Sequence, residues 1–162
     1  MNRSLAVLAA FVLAAAADAP AAAAVHAGDV LPALKVASAR GGTLTSAQFK
    51  GKPLYLNFFA SWCGPCNDEA PAIASYYKKY HKRGLAIVGI NELENPSTAK
   101  DFAKKYGWPF AIGVDGDGNV LAPYGAVGLP VHIFVDRHGK ISTYRNGQMD
   151  PDEIEDAIKK II

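Results

Sequence analysis

The chain has 162 residues, half of them hydrophobic and a fifth charged, and its 17 Lys and Arg against 15 Asp and Glu give a formal net charge of +2. That length suits one compact domain, and so even a charge balance excludes a charge-dominated nucleic-acid binder or a disordered tail. Two cysteines in all exclude a disulfide-laced miniprotein and any all-cysteine metal centre.

Residues 1–24 hold 12 Ala, and after Arg3 an uncharged run extends from Leu5 to Ala17. Such a run is too short to span a bilayer, which takes about 20 residues, but it fits the core of a secretory signal. Small-residue triplets place cleavage after Ala24 or Ala27, so the expectation is an exported, periplasmic protein whose domain covers residues 28–162. An uncleaved membrane anchor is the alternative.

From Gly28 onward short apolar runs alternate with helical stretches. Leu34–Ala37 and Thr43–Thr45 flank Arg40-Gly41-Gly42 as a hairpin or edge pair. Leu54–Phe59 is a near-continuous apolar run, as expected of a strand covered on both faces, and Leu85–Ile90 is a second. Between them a helix is predicted from about Cys63 to Lys82. Asn95-Pro96 supplies an N-cap and a first-turn Pro for a helix through Tyr106, with Gly107 as its stop. A segment at Phe110–Val114 follows, then a Gly- and Asp-rich loop and a short turn near Val120–Tyr124. The loop residues 115–119 resemble the start of a calcium loop, but Val120 and Ala126 stand where an EF-hand needs Gly and Glu, which leaves a plain turn. Val131–Val135 and Ile141–Arg145 are joined by Asp136-Arg137-His138-Gly139 as a hairpin, and Asp150-Pro151-Asp152-Glu153 opens the last helix with a capping box. The class is α/β with a mixed central sheet, an N-terminal hairpin and a central αβ insertion.

Both cysteines lie in Ser61-Trp62-Cys63-Gly64-Pro65-Cys66, after a buried strand and before a helix. Cysteines at i and i+3 in a first helical turn can meet the Cα separation of about 4.4–6.8 Å that a disulfide requires. Unpaired N–H groups and the helix dipole stabilise a thiolate there, which makes Cys63 the exposed nucleophile and Cys66, one turn in, the resolving thiol. Metal binding fails on ligand count, since His132 and His138 lie far along the chain from the cysteine pair. Covalent haem attachment needs His after the second Cys, where this chain has Asn67.

With Asn57-Phe58-Phe59-Ala60 ahead of that motif, Glu69 and Pro71 behind it, and Gly128-Leu129-Pro130 and Phe134–Ile141 further on, the chain resembles the thioredoxin superfamily. It is most similar to the exported TlpA-like and ResA-like thiol-disulfide oxidoreductases, which include cytochrome c maturation reductases. The resemblance implies a cis-Pro at Pro130, packed against the cysteines, and a substrate strand paired to the Leu129 main chain. With Trp62, Gly64 and Pro65, these residues would form the substrate surface. Thioredoxins proper carry a buried Asp where this chain has Asn57, and the exported branch places a Glu at Glu69. That carboxylate would exchange a proton with Cys66, or else sit solvated near the helix start. His132 departs from the small hydroxyl residue usual in the branch, and two readings stay open: influence on thiol titration, or a hydrogen-bonded core histidine.

The function implied is reduction of protein disulfides such as those of apocytochromes c, by a monomer without cofactor, nucleic acid or metal, fed with electrons by a membrane thiol carrier. A thiol peroxidase of the peroxiredoxin kind is a second reading, weakened because Ala60 stands where a hydroxyl residue is expected. A binding or chaperone module with an incidental cysteine pair is a third.

Overall fold

The computed structural model describes residues 24–162, and the expected export signal falls, up to position 23, outside the described residues. Seven strands form one sheet: β1 (Lys35–Ser38), β2 (Thr43–Thr45), β3 (Leu54–Phe59), β4 (Ala86–Glu92), β5 (Ala111–Asp115), β6 (Val131–Val135) and β7 (Ile141–Asn146), in the order β2-β1-β5-β4-β3-β6-β7. β3, β4 and β5 run parallel, and the remaining pairs are antiparallel. Three helices complete the fold: α1 (Gly64–Tyr80), α2 (Pro96–Tyr106) and α3 (Pro151–Ile161). This is the mixed α/β, thioredoxin-like architecture expected from the sequence, with the β1–β2 hairpin at one edge and α2–β5 as the central insertion.

Every residue of β3 is buried, which explains its unbroken apolar run. Alternate residues feed two cores. Tyr55 and Phe59 pack with the buried sides of all three helices, while Leu54, Leu56 and Phe58 pack with Val25, Leu34, Val36 and Tyr124 on the other face. The helix ends are set by local chemistry. Asn95 caps α2 by accepting from the N–H groups of Ser97 and Thr98 at 2.9 and 3.0 Å, and Gly107 closes it at a φ of 65°. α1 ends two residues earlier than predicted, at Tyr80, because a 3-10 turn over His81–Arg83 leads to Gly84 at a φ of 96°. Pro71 lies inside one continuous α1.

The register pairs Phe59 with Asn91, Glu92 with Asp115 and Phe58 with Val131, so the chain segments after β3, β4 and β5 and before β6 meet at one end of the sheet. There the Asp115 carboxylate accepts from the N–H groups of Asn119, Val120 and Leu121, which makes residues 115–121 the expected turn. Its strand neighbour Glu92 is buried, and burial together with the Asp115 charge pushes its carboxyl from 4.5 up to about 8. The unfolded chain gives up this proton near 4.5 and the folded chain keeps it to about 8, so stability is expected to fall as pH rises between the two. Glu92→Gln abolishes that dependence, and thermal melts should show it about 5 °C more stable than the parent at pH 8.5, with the gap closing towards pH 5. A gap that does not change with pH would refute the buried protonated carboxyl.

Candidate active site

β3 delivers the chain to Ser61 and Trp62, and Cys63 then serves as the N-cap of α1. Cys63 and Cys66 are joined in a disulfide with Cα atoms 5.3 Å apart. The Cys66 N–H donates to Cys63 Sγ at 3.2 Å, so a helix-terminal donor aims at the sulfur that becomes the thiolate on reduction. The sequence reading made Cys63 exposed and Cys66 buried. In the disulfide both are buried, at 5% and 3% exposure, so Cys63 is not the exposed residue expected, and the open surface belongs to Trp62, 63% exposed, and to Gly64 and Pro65.

Two residues that sequence reasoning missed hold the strand-to-helix loop. Glu94, in the loop after β4, accepts from the Ser61 N–H at 2.8 Å, from the Ser61 hydroxyl and from Asn91 Nδ2 at 2.6 Å. Asn67 donates to the carbonyls of Ser61 and Cys63 at 2.9 and 2.7 Å, and its own oxygen accepts from Tyr106 and Lys105 of α2. The Ser61 residue is thereby gripped at its N–H and its carbonyl. Glu94→Ala is expected to cost about 1–2 kcal/mol in denaturant titrations and to slow disulfide exchange several-fold. Stability and rate both equal to the parent's would show the grip to be idle.

Leu129-Pro130 is a cis peptide bond, as the resemblance implied. The loop leading to it is held by Asn146 at the end of β7, which accepts from the Val127 N–H at 3.0 Å and donates to the Gly128 carbonyl at 2.9 Å. Pro130 is buried and its carbonyl accepts from the Gly147 N–H, while the N–H and C=O of Leu129 have no hydrogen-bond partner among the described residues.

Behind the disulfide lies a buried polar cluster. Glu69, one turn after Cys66, is 3% exposed, which rules out the solvated reading. Its Oε1 accepts from the Met149 N–H at 2.6 Å and its Oε2 lies 3.2 Å from His132 Nε2. His132 is fully buried, and its Nδ1 lies 2.7 Å from the Tyr55 hydroxyl and 3.4 Å from Asn57 Nδ2. Burial, with the Glu69 charge nearby, holds the Tyr55 phenol well above its ordinary range, so it stays an O–H donor. His132 is therefore both a hydrogen-bonded core residue and the partner of the carboxylate beside Cys66.

The chain is similar to proteins of known chemistry over most of its length. The family described as AhpC/TSA matches residues 27–144. The thiol-disulfide oxidoreductase ResA of Bacillus thuringiensis is 31% identical over 134 residues, which cover 83% of this chain and 78% of that protein. ResA of Geobacillus thermodenitrificans is 30% identical over 138 residues, covering 85% and 79%. Among solved structures, a secreted Mycobacterium tuberculosis disulfide oxidoreductase homologous to E. coli DsbE superimposes with a TM-score of 0.71 at 26% identity, over 78% of this chain and 95% of that one. A dithiol pair at a helix start, a cis-Pro loop at the same end of the sheet and these likenesses agree: the chain belongs to the AhpC/TSA family, with the ResA-like thiol-disulfide oxidoreductases of the thioredoxin superfamily.

Proposed function

We propose that this thiol-disulfide oxidoreductase is an exported reductant of specific protein disulfides, those of apocytochromes c being the substrate class its ResA likeness favours. The observation that carries the reading is the Cys63–Cys66 bond at the first turn of α1, at the same end of the sheet as a cis-Pro loop whose Leu129 main chain has no hydrogen-bond partner among the described residues. An extended substrate pairs with Leu129 across Pro130 and rests on Trp62, Gly64 and Pro65, which brings its disulfide to Cys63. The Cys63 thiolate attacks, and Cys66, giving its proton to Glu69, then attacks Cys63 to release the reduced substrate. The dithiol carries both electrons, so a monomer suffices without a further cofactor. In an oxidising compartment the pair must be re-reduced, and a membrane thiol carrier is the donor of matching chemistry. The secreted M. tuberculosis relative supports export.

Trapping tests the reading. A Cys66→Ser chain is expected to retain apocytochrome c on Cys63 as a mixed disulfide, identified by mass spectrometry after acid quench. A chain found oxidised in cells, with a potential near the roughly −120 mV of a strong oxidant, would reverse the assigned direction.

A further inference from the structure

The cluster behind the disulfide holds more than a Cys-Gly-Pro-Cys pair requires. Two donors, the Tyr55 hydroxyl and Asn57 Nδ2, converge on His132 Nδ1, so that nitrogen carries the lone pair and the ring hydrogen sits on Nε2. Nε2 in turn faces Glu69 Oε2 at 3.2 Å, and Glu69 Oε1 is fixed from the other side by the Met149 N–H. The carboxylate is thus hydrogen-bonded at Oε1 by the loop between β7 and α3, while Oε2 and His132 Nε2 of β6 are close neighbours, both buried and neither with an aligned hydrogen bond in this oxidised state. Nδ1 is engaged by its two donors and Nε2 faces the Glu69 carboxylate, which is the group through which His132 can act on Cys66.

We propose that His132 is a positioning residue for the resolving half of disulfide exchange: its Nε2–H, 3.2 Å from the otherwise unpartnered Glu69 Oε2, turns onto that oxygen and orients the carboxylate to take the Cys66 proton, and Tyr55 with Asn57 fixes the ring tautomer that makes this possible. The inference rests on Glu69 being the Cys66 base. In that step the Cys66 S–H passes its proton to Glu69, and the thiolate attacks the Cys63 sulfur of the mixed disulfide. The bond from Cys63 to the substrate sulfur breaks, and its electron pair leaves with that sulfur, which takes a proton from water. The new Cys63–Cys66 bond leaves the enzyme oxidised by two electrons and the substrate reduced by two. Glu69 then passes its proton to solvent.

The titratable and charged groups around His132 are few. Glu69 and Cys66 belong to α1 and Tyr55 to β3, and Arg145 of β7 is its register partner. The Arg145 guanidinium is turned away to Glu153 of α3, at 3.3 Å and half exposed. No cation therefore competes with the imidazole for Glu69 among the described ion pairs. A Thr or Ser at this strand position would be too short to bridge Tyr55 and Glu69, so the link is specific to the side chain this chain carries.

The test uses the reduced full-length protein and 5,5′-dithiobis(2-nitrobenzoate), whose first thionitrobenzoate release reports Cys63 attack and whose second reports Cys66 resolution. His132→Leu is expected to slow the second release at least about tenfold and to move its pH profile by about one unit, with the first release changed less than about twofold. His132→Gln can accept from Tyr55 and donate to Glu69, and should return the second release to within about threefold of the parent. An unchanged second phase in His132→Leu overturns the proposal, as does His132→Gln slowing as much as His132→Leu. Should His132→Leu fail to fold, Tyr55→Phe and His132→Gln decide: the former must shift the second-phase pH profile and the latter must not. Glu69→Gln in the same assay separates the two levels. If it leaves the second phase intact, the Glu69 reading itself falls; if it slows that phase while His132→Leu does not, only the His132 assignment fails.

Discussion

Cys63→Ser is expected to lower disulfide-exchange turnover at least about a thousandfold while leaving the fold intact. The chain has no cysteine beyond Cys63 and Cys66, and of the two it is Cys63, the N-cap of α1, whose sulfur receives the helix-terminal Cys66 N–H, so the variant lacks the thiol activated to begin the reaction. A serine hydroxyl in the same N-cap position still accepts from the Cys66 N–H, which preserves the start of α1. Cys66→Ser should behave differently, attacking substrate once and stalling on the mixed disulfide. Steady-state turnover with dithiothreitol as donor distinguishes these outcomes from a binding module with an incidental pair, for which both variants would keep the protein's activity. Peroxide consumption by the reduced parent, measured in parallel, would instead favour the peroxidase reading.

Glu69→Ala should be the most destabilising single change at the site, costing about 3–5 kcal/mol and lowering Tm by roughly 10–20 °C. The deletion strands the Met149 N–H and takes away the one carboxylate that faces His132 Nε2, in a region closed to water where neither group recovers a solvent partner. Calorimetry on the parent, Glu69→Ala and the Glu69→Ala/His132→Leu double variant gives the check. The double variant should regain part of the loss, because it removes the stranded nitrogen together with the carboxylate. Additive losses in the double variant would mean that the two side chains are not coupled.

Much of the fold follows from local signals. Asn95-Pro96 and Asp150-Pro151 mark helix starts because capping is a contact between neighbours in sequence, and the apolar run of β3 declares its burial because every position points into one core or the other. The cysteine pair was legible for the same reason. The rest of the site was not. Tyr55 and His132 meet across 77 positions, and only the pairing of Asn57 with His132 in the β3–β6 register puts them on one face beneath α1. Glu94 and Asn146 carry no motif: each acts by folding back onto a loop from a different strand, and a single Glu or Asn at a strand end announces nothing. Parity along β3 and β6 was the one available clue, since Tyr55, Asn57 and His132 all occupy polar-capable positions in otherwise apolar strands.

Asn146 has already engaged the Val127 N–H and the Gly128 carbonyl, and Leu129 offers one N–H and one C=O. Two such hydrogen bonds contribute about 1–3 kcal/mol, less than the roughly 4 kcal/mol that even a millimolar dissociation constant represents. Main-chain pairing alone would therefore leave encounters brief and many, and the covalent sulfur–sulfur link would be what arrests one. Discrimination among clients would then be decided by the speed of thiolate attack during a short visit, so that competing disulfides are sorted by rate and not by occupancy.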